Sequence, residues 1–319
     1  MCIFTFKLIF TQMKLICILC VTCLFLFSCG VSEDYTKKDS PTSGKAIFYF
    51  DEGLFPHIKN QIFTFQTIYP NADIVLKPSN EKEAIQSLYD DCTKVIAISR
   101  PLTEKEIAQF KTKNIVPQFS FVAGNAVAFI VNKEFTDSTL SILKLKQLLL
   151  GNDSSYQPNQ HINIIFNNVN SGVTRHLKDS VLPNDNFGKN CSAVNNTNEL
   201  IDKIANNKFA IGVCDYAWFS DKDDSTVKNL LTKIKILAIS KENSTVAYMP
   251  DQSNIATRDY PFCRTICIIR RSSDFSLGKG IETFIAGEKG QLMFLKQGLP
   301  PHRQEERVIE IDMTPMKIN

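Results

Sequence analysis

The 319-residue chain lacks the short signatures that announce common catalytic sites. It has no Gly-x-Ser-x-Gly elbow for a hydrolase nucleophile, no P-loop and no dinucleotide fingerprint. Its four histidines, His57, His161, His176 and His302, show no metal-binding spacing. Beyond Cys29 there is no C-x-x-C pair, which argues against zinc. No Lys/Arg cluster on the scale of a nucleic-acid patch occurs, and the formal net charge is only +3, so nucleic acid is not an expected partner. No fixed-period repeat is present, which excludes a solenoid. These absences point to a non-enzymatic chain without a bound cofactor or metal. Ten cysteines are present, but Cys2, Cys17, Cys20, Cys23 and Cys29 all fall at the start. The others, Cys92, Cys191, Cys214, Cys263 and Cys267, are scattered and odd in number, unlike a disulfide scaffold. Cys263 and Cys267 lie four apart on a strand pattern, about 13 Å along it, too far to bridge. Buried apolar thiols are expected, with Cys191–Cys214 the one pairing considered.

What is present begins with a greasy leader. Lys14 supplies a positive charge, Leu15 to Phe27 is apolar apart from Thr22, and Ser28-Cys29 closes the run. A basic region, an apolar region and a small residue at the cut form an export signal. The apolar run is short for a membrane span of about 20 residues. A cysteine directly after the small residue resembles the bacterial lipobox. That resemblance implies a signal peptide at 1–28, palmitate-type acylation of Cys29, and a lipid-anchored protein of the cell envelope. Met13-Lys14 opens a leader of ordinary length, which would make Met1 to Gln12 an upstream extension. Residues 29–44 are polar and turn-prone and read as a flexible linker. The folded part is expected from about 45 to 312, with a tail at 313–319.

Through the folded part, short β-rich runs alternate with helical patterns. Strands are expected at Ala46–Phe50, Asp73–Lys77, Lys94–Ser99, Ala126–Val131, Ile162–Phe166, Phe209–Val213, Lys235–Ile239 and Arg264–Ile269. Between them lie helices over Pro56–Ile68, Leu143–Leu149, Leu277–Ala286 and Lys289–Lys296, and one carrying Val173, Leu177 and Val181. Asn80 with Glu83, Thr103 with Glu106 and Asn196 with Glu199 carry helix-start signals. Gly298 followed by Pro300-Pro301 marks a helix end. Alternation of this kind predicts an α/β fold of mixed or parallel sheets covered by helices. Arg270, Arg271, Arg303 and Arg307 read as solvated faces. Trp218, with Tyr216 and Phe219, reads as packing.

Several of these segments, in order, resemble the phosphate-type substrate-binding proteins of bacterial ABC importers. Val95-Ile-Ala-Ile-Ser-Arg-Pro-Leu-Thr103, Ala123 to Asn132, Asn170-Ser171-Gly172, Ala210-Ile-Gly212, Tyr260-Pro-Phe262 and Gly290-Gln291 carry the likeness. It implies a two-lobed periplasmic-binding-protein-like fold of type II with a two-strand hinge. Lobe one would combine 45–125 and 257–312, and lobe two would be 126–256. It also implies a monomer that holds phosphate or a similar oxyanion in the interlobe cleft and passes it to an ABC permease.

An oxyanion needs converging donors, and helix N-termini, hydroxyls and arginine supply them. The expected ligand-binding residues are Ser171, Gly172, Thr174, Arg175, Ser99, Arg100, Asn167, Glu52 and Gly53. Three of them have a plainer reading. Ser171 can be a simple N-cap, Arg175 a surface arginine, and Arg100 a partner of Glu104 or Glu106. The chain also departs from the resembled pattern. An arginine four residues before the serine is replaced by Asn167, and the threonine after the glycine by Val173. Asp51-Glu52 puts two carboxylates at the cleft mouth, which would repel a dianion unless they turn away or accept a ligand proton. The alternative is the same fold without phosphate binding, serving as an interaction or sensing lipoprotein of the envelope.

Overall fold

The computed structural model describes residues 39–152, 155–157, 160–242 and 244–302. The leader, Cys29, most of the linker, Arg303, Arg307 and the tail lie outside the described residues. Among those described, no helix is long and apolar enough to cross a membrane.

Strand β1 (Gly44–Asp51) buries Phe48 and Phe50, each such ring contributing roughly 1.5–3 kcal/mol. It pairs in parallel with β2 (Ala72–Ser79) and β3 (Val95–Ile98). Helix α1 (Phe55–Ile68) crosses from β1 to β2, with proline in its first turn and Ile58, Ile62 and Phe65 turned inward. Helix α2 (Glu81–Tyr89) starts where the Asn80 side chain accepts the Glu83 amide. Helix α3 (Glu104–Thr112) starts at a complete Thr103–Glu106 capping box, so both signals act as their spacing predicts.

The fold turns on β4 (Gln118–Asn132), a strand of 15 residues. Two segments lie beyond it: β5 (Thr139–Ser141) and α4 (Ile142–Leu150), which ends at left-handed Gly151. Then come β6 (Ser155–Gln157), β7 (Gln160–His161), β8 (Asn163–Phe166) and α5 (Gly172–Val181). The chain continues through β9 (Cys191–Ala193), α6 (Thr197–Ala205) and β10 (Ala210–Asp215) to α7 (Ser225–Lys233). It closes with β11 (Ile234–Ile236), β12 (Ala238–Ser240), β13 (Ala247–Tyr248), α8 (Gln252–Ala256), β14 (Cys263–Arg270), α9 (Leu277–Ala286) and α10 (Glu288–Lys296). The main strand order is β2-β1-β3-β14-β4-β10-β8-β9.

The first part of β4 runs antiparallel to β14, and its second part antiparallel to β10 and β11. One strand therefore serves two lobes, the expected two-lobed α/β architecture. The chain passes back near Tyr260, whose hydroxyl donates to the Val127 carbonyl at 2.7 Å, while the Val127 amide donates to the Phe262 carbonyl.

Four expectations are corrected. Lys235–Ile239 is two strands, because the chain turns at buried Leu237: β11 stays on β4, while β12 pairs with β5 and β13. Cys191 and Cys214 are unbridged, and Cys92, Cys263 and Cys267 are also free thiols. Strand β8 lies between β9 and β10, which sets the two cysteine strands about 10 Å apart, beyond disulfide reach. The thiols are also less uniformly buried than expected, with Cys92 exposed and Cys191 and Cys263 half-buried. Arg270 is buried rather than solvated. Its Nε donates to Glu282 at 2.6 Å, and its Nη1 to the Ser272 carbonyl at 2.6 Å.

Candidate functional site

The ends of β1, β3 and β10 converge with the middle of β4, the start of β14 and the starts of α2 and α5. Carboxyl ends of strands and amino ends of helices are where α/β sheets place ligands. At this convergence lie Asp51, Ser99, Asp215, Asn125, Arg264, Glu81 and Gly172, and each of these residues is essentially buried. Arg264 is central. Its Nη1 donates to Asp215 Oδ1 at 2.7 Å, and its Nη2 stands 3.9 Å from Asp51 and 3.8 Å from Glu81. Asn125 donates to the same Asp215 oxygen at 2.8 Å and to Ser99 Oγ at 3.4 Å.

Glycine is required at two points by close approach. A Cβ on Gly53 would stand 1.9 Å from Asp215 Oδ2, and one on Gly172 would stand 2.2 Å from Arg264 Nη2. Ser171 caps α5 by accepting the Thr174 amide, and the Gly172 amide donates to Asp51 Oδ2 at 3.3 Å. The chain's own carboxylate thus sits on the helix N-terminus where an oxyanion was expected.

A second cluster stands at the rim. Glu81 receives Arg100 Nε at 2.8 Å and Arg175 Nε at 2.7 Å. Arg100 also grips both Glu106 oxygens, at 2.7 and 2.8 Å, and Arg175 reaches Asp179 at 2.9 Å. Arg100 therefore does make the Glu106 pair of its plainer reading, together with Glu81. An open groove of about 650 Å³ lies here, with Arg100, Ser171, Thr174 and Arg175 among its lining residues. Of the remaining expected residues, Glu52 reaches across to the other lobe. Thr197 donates to Glu52 from its hydroxyl at 2.7 Å and its amide at 3.3 Å, and Asn167 is buried beside Thr197. Thr174 spends its hydroxyl on the Asn168 carbonyl at 2.6 Å.

The electrostatics follow from this crowding. Burial, then the charge of Asp215, pushes Asp51 up to about 8. Burial likewise raises Asp215 and Glu52. Burial would raise Glu81 too, but the hydrogen bond from Arg175 and the charges of Arg100 and Arg264 outweigh it and hold its carboxyl below the usual range. Among the described residues no His, Cys, Asp and Glu cluster is arranged to hold a metal.

Residues 50–288 match the PBP superfamily domain. The chain belongs to the PBP superfamily. These are non-catalytic binding proteins. No curated protein matches this PBP-superfamily chain. Among solved structures it is similar to a proposed phosphate ABC transporter substrate-binding protein with bound phosphate from Clostridium perfringens. That match has 14% identity and a TM-score of 0.69, over 82% of this chain and 100% of that one. It is also similar to an ABC-type phosphate transport receptor from Vibrio cholerae, with 14% identity and a TM-score of 0.61, over 81% and 100%. The regulatory domain of the LysR-family regulator MetR from N. meningitidis is similar as well, with 11% identity and a TM-score of 0.52, over 81% and 98%. At these identities the likeness is one of fold.

Sequence reading missed Arg264, Asp215, Asn125 and Glu81 as members of this PBP site. A signal existed for two of them. Arg264 opens, and Asp215 ends, an otherwise apolar strand run, and a charge there needs a buried partner. Nothing local marks Asn125 or Glu81.

Proposed function

We propose that the chain is a lipid-anchored extracytoplasmic module of the PBP fold that acts by interaction or sensing, with its interlobe cleft closed on its own charges, and does not deliver phosphate dianion. Its lobes would be 45–125 with 257–312, and 126–256. One observation carries this reading: the Gly172 amide is turned to Asp51, and Arg264 is met by Asp215, Asp51 and Glu81. A dianion entering there would meet three acidic side chains. The similarity of the fold to the regulatory domain of a LysR-family regulator, as well as to phosphate receptors, fits such a use. Calorimetry of the purified chain with inorganic phosphate at neutral pH is the test. No heat is expected at millimolar ligand, and micromolar binding would overturn the reading. For the anchor, labelled palmitate should enter the chain in cells and be lost on Cys29→Ser.

A second reading has its own support. Ser171 and Gly172 start a buried helix beside an arginine, which is a donor set for phosphate or a similar oxyanion brought to an ABC permease. On this reading Asp51 must swing aside, or keep its proton, when the ligand enters.

A further inference from the structure

Arg264 holds the most unusual chemistry in the molecule. Its side chain is 1% exposed, yet Nε and Nη2 have no hydrogen-bond acceptor. Guanidinium carries five donors, and a buried donor left unpaired is costly. The second carboxylate oxygen of Asp215 and the Asn125 carbonyl oxygen, both buried beside this arginine, are also without partners. Opposite lies the start of α5, a helix of 10 residues whose Gly172 amide has only a long contact, 3.3 Å, to Asp51. Asp51 is rooted at the end of β1 and reaches neither donor well, standing 3.9 Å from Arg264 Nη2. Good N–H···O bonds run near 2.9–3.0 Å.

We propose that Asp51 is the internal occupant of a latent oxyanion site, with its carboxyl group standing in for an oxygen of a small tetrahedral anion between the Gly172 amide and the Arg264 guanidinium. Arg264 supplies from β14 the positive charge that Asn167 does not. The inference rests on the reading that the cleft is closed on its own charges, and it names what closes it. An external anion has to displace the Asp51 carboxyl group, which adds a repelling charge once it ionises above about pH 8. Removing that one carboxylate opens the site to sulfate and phosphate alike, since both present the same tetrahedral oxygens. The contact also ties β1 to α5 across the cleft, as Glu52–Thr197 and Glu81–Arg175 do.

The experiment uses the full chain and its Asp51→Ala, Asp51→Asn and Asp51→Ala/Arg264→Gln variants, titrated calorimetrically with sodium sulfate and sodium phosphate at pH 9, where Asp51 is ionised. Circular dichroism checks the fold. Asp51→Ala is expected to bind both anions at least tenfold more tightly than the parent, and the double variant to lose that gain. A folded Asp51→Ala or Asp51→Asn protein with parental affinity for both anions overturns the proposal. If neither variant folds, the parent decides. The chain's single tryptophan, Trp218, donates to the Glu52 carbonyl beside Asp51, so displacement of Asp51 by concentrated sulfate should shift its emission with saturation. An unsaturable or flat response rejects the proposal. Micromolar phosphate binding by the parent would instead sink the proposed function, leaving the ratio of variant to parent to judge the internal occupant.

Discussion

Two buried arginines stand on β14, six residues apart, and they behave oppositely. Arg270 is 4% exposed and satisfied: Glu282, the Ser272 carbonyl and the Asp274 carbonyl accept its hydrogen bonds. Glu282 in turn receives Ser120 at 2.6 Å and Lys279 at 3.0 Å. Arg264 has a single hydrogen-bonded carboxylate, two idle nitrogens and two further carboxylates nearby at ion-pair distance. The first arrangement is complete within one lobe. The second draws on both lobes and is incomplete in each. A finished ion pair holds a structure still, while an unfinished one leaves something for another molecule to do.

The sharpest way to break this contrast is to open the complete pair. Glu282→Ala should lower unfolding free energy by about 3–5 kcal/mol in urea titration, because it strands a buried guanidinium. A loss under 1 kcal/mol would show that Arg270 is no better held than Arg264. The next effect is on pH dependence. Asp51 holds a proton up to about pH 8 in the folded chain but only to about 4 when unfolded. The folded state therefore binds the extra proton between those limits, and this group's contribution to stability falls as pH rises through that window. Urea midpoints should imply a loss of about 3 kcal/mol between pH 5.5 and 8, and Asp51→Asn should flatten the slope. Glu282 is held below the usual range by Ser120, Lys279 and Arg270 against its burial. It should stay silent in the same window and lose its contribution only in acid.

Smaller changes sharpen the contrast at the cleft. Gly172→Ala puts a methyl 2.2 Å from Arg264 Nη2 and should cost about 1–3 kcal/mol by overpacking, measurable by thermal unfolding. Thr197→Val removes the hydroxyl that holds Glu52 and should cost about 1 kcal/mol. Parental stability would show that this link between the lobes is idle.

The fold was legible because its signals are local. Caps at Asn80, Thr103, Ser171 and Asn196 and the stops at Gly151 and Gly298 act within one turn of chain. The β-runs were legible because they are almost wholly apolar. The split at Leu237 was not, since only the neighbouring strands β4 and β5 decide it. Of the site, Ser171 and Gly172 could be placed from their turn-to-helix context. Arg264 and Arg270 look alike in sequence, each a cation at one end of an apolar strand. What separates them is which carboxylates other elements bring, and that depends on contacts across dozens to hundreds of residues.

The strand order β3-β14-β4 has a consequence for how the chain is made. β14 is inserted between two strands that leave the ribosome more than a hundred residues earlier. Until residue 270 emerges, the first lobe is a sheet with a vacant slot, and β3 and β4 each show an unpaired edge to the surroundings. Such edges invite wrong partners. Nascent or prematurely ended chains that stop short of β14 should therefore depend most on chaperones, and export before folding would spare them that exposure in the cytoplasm.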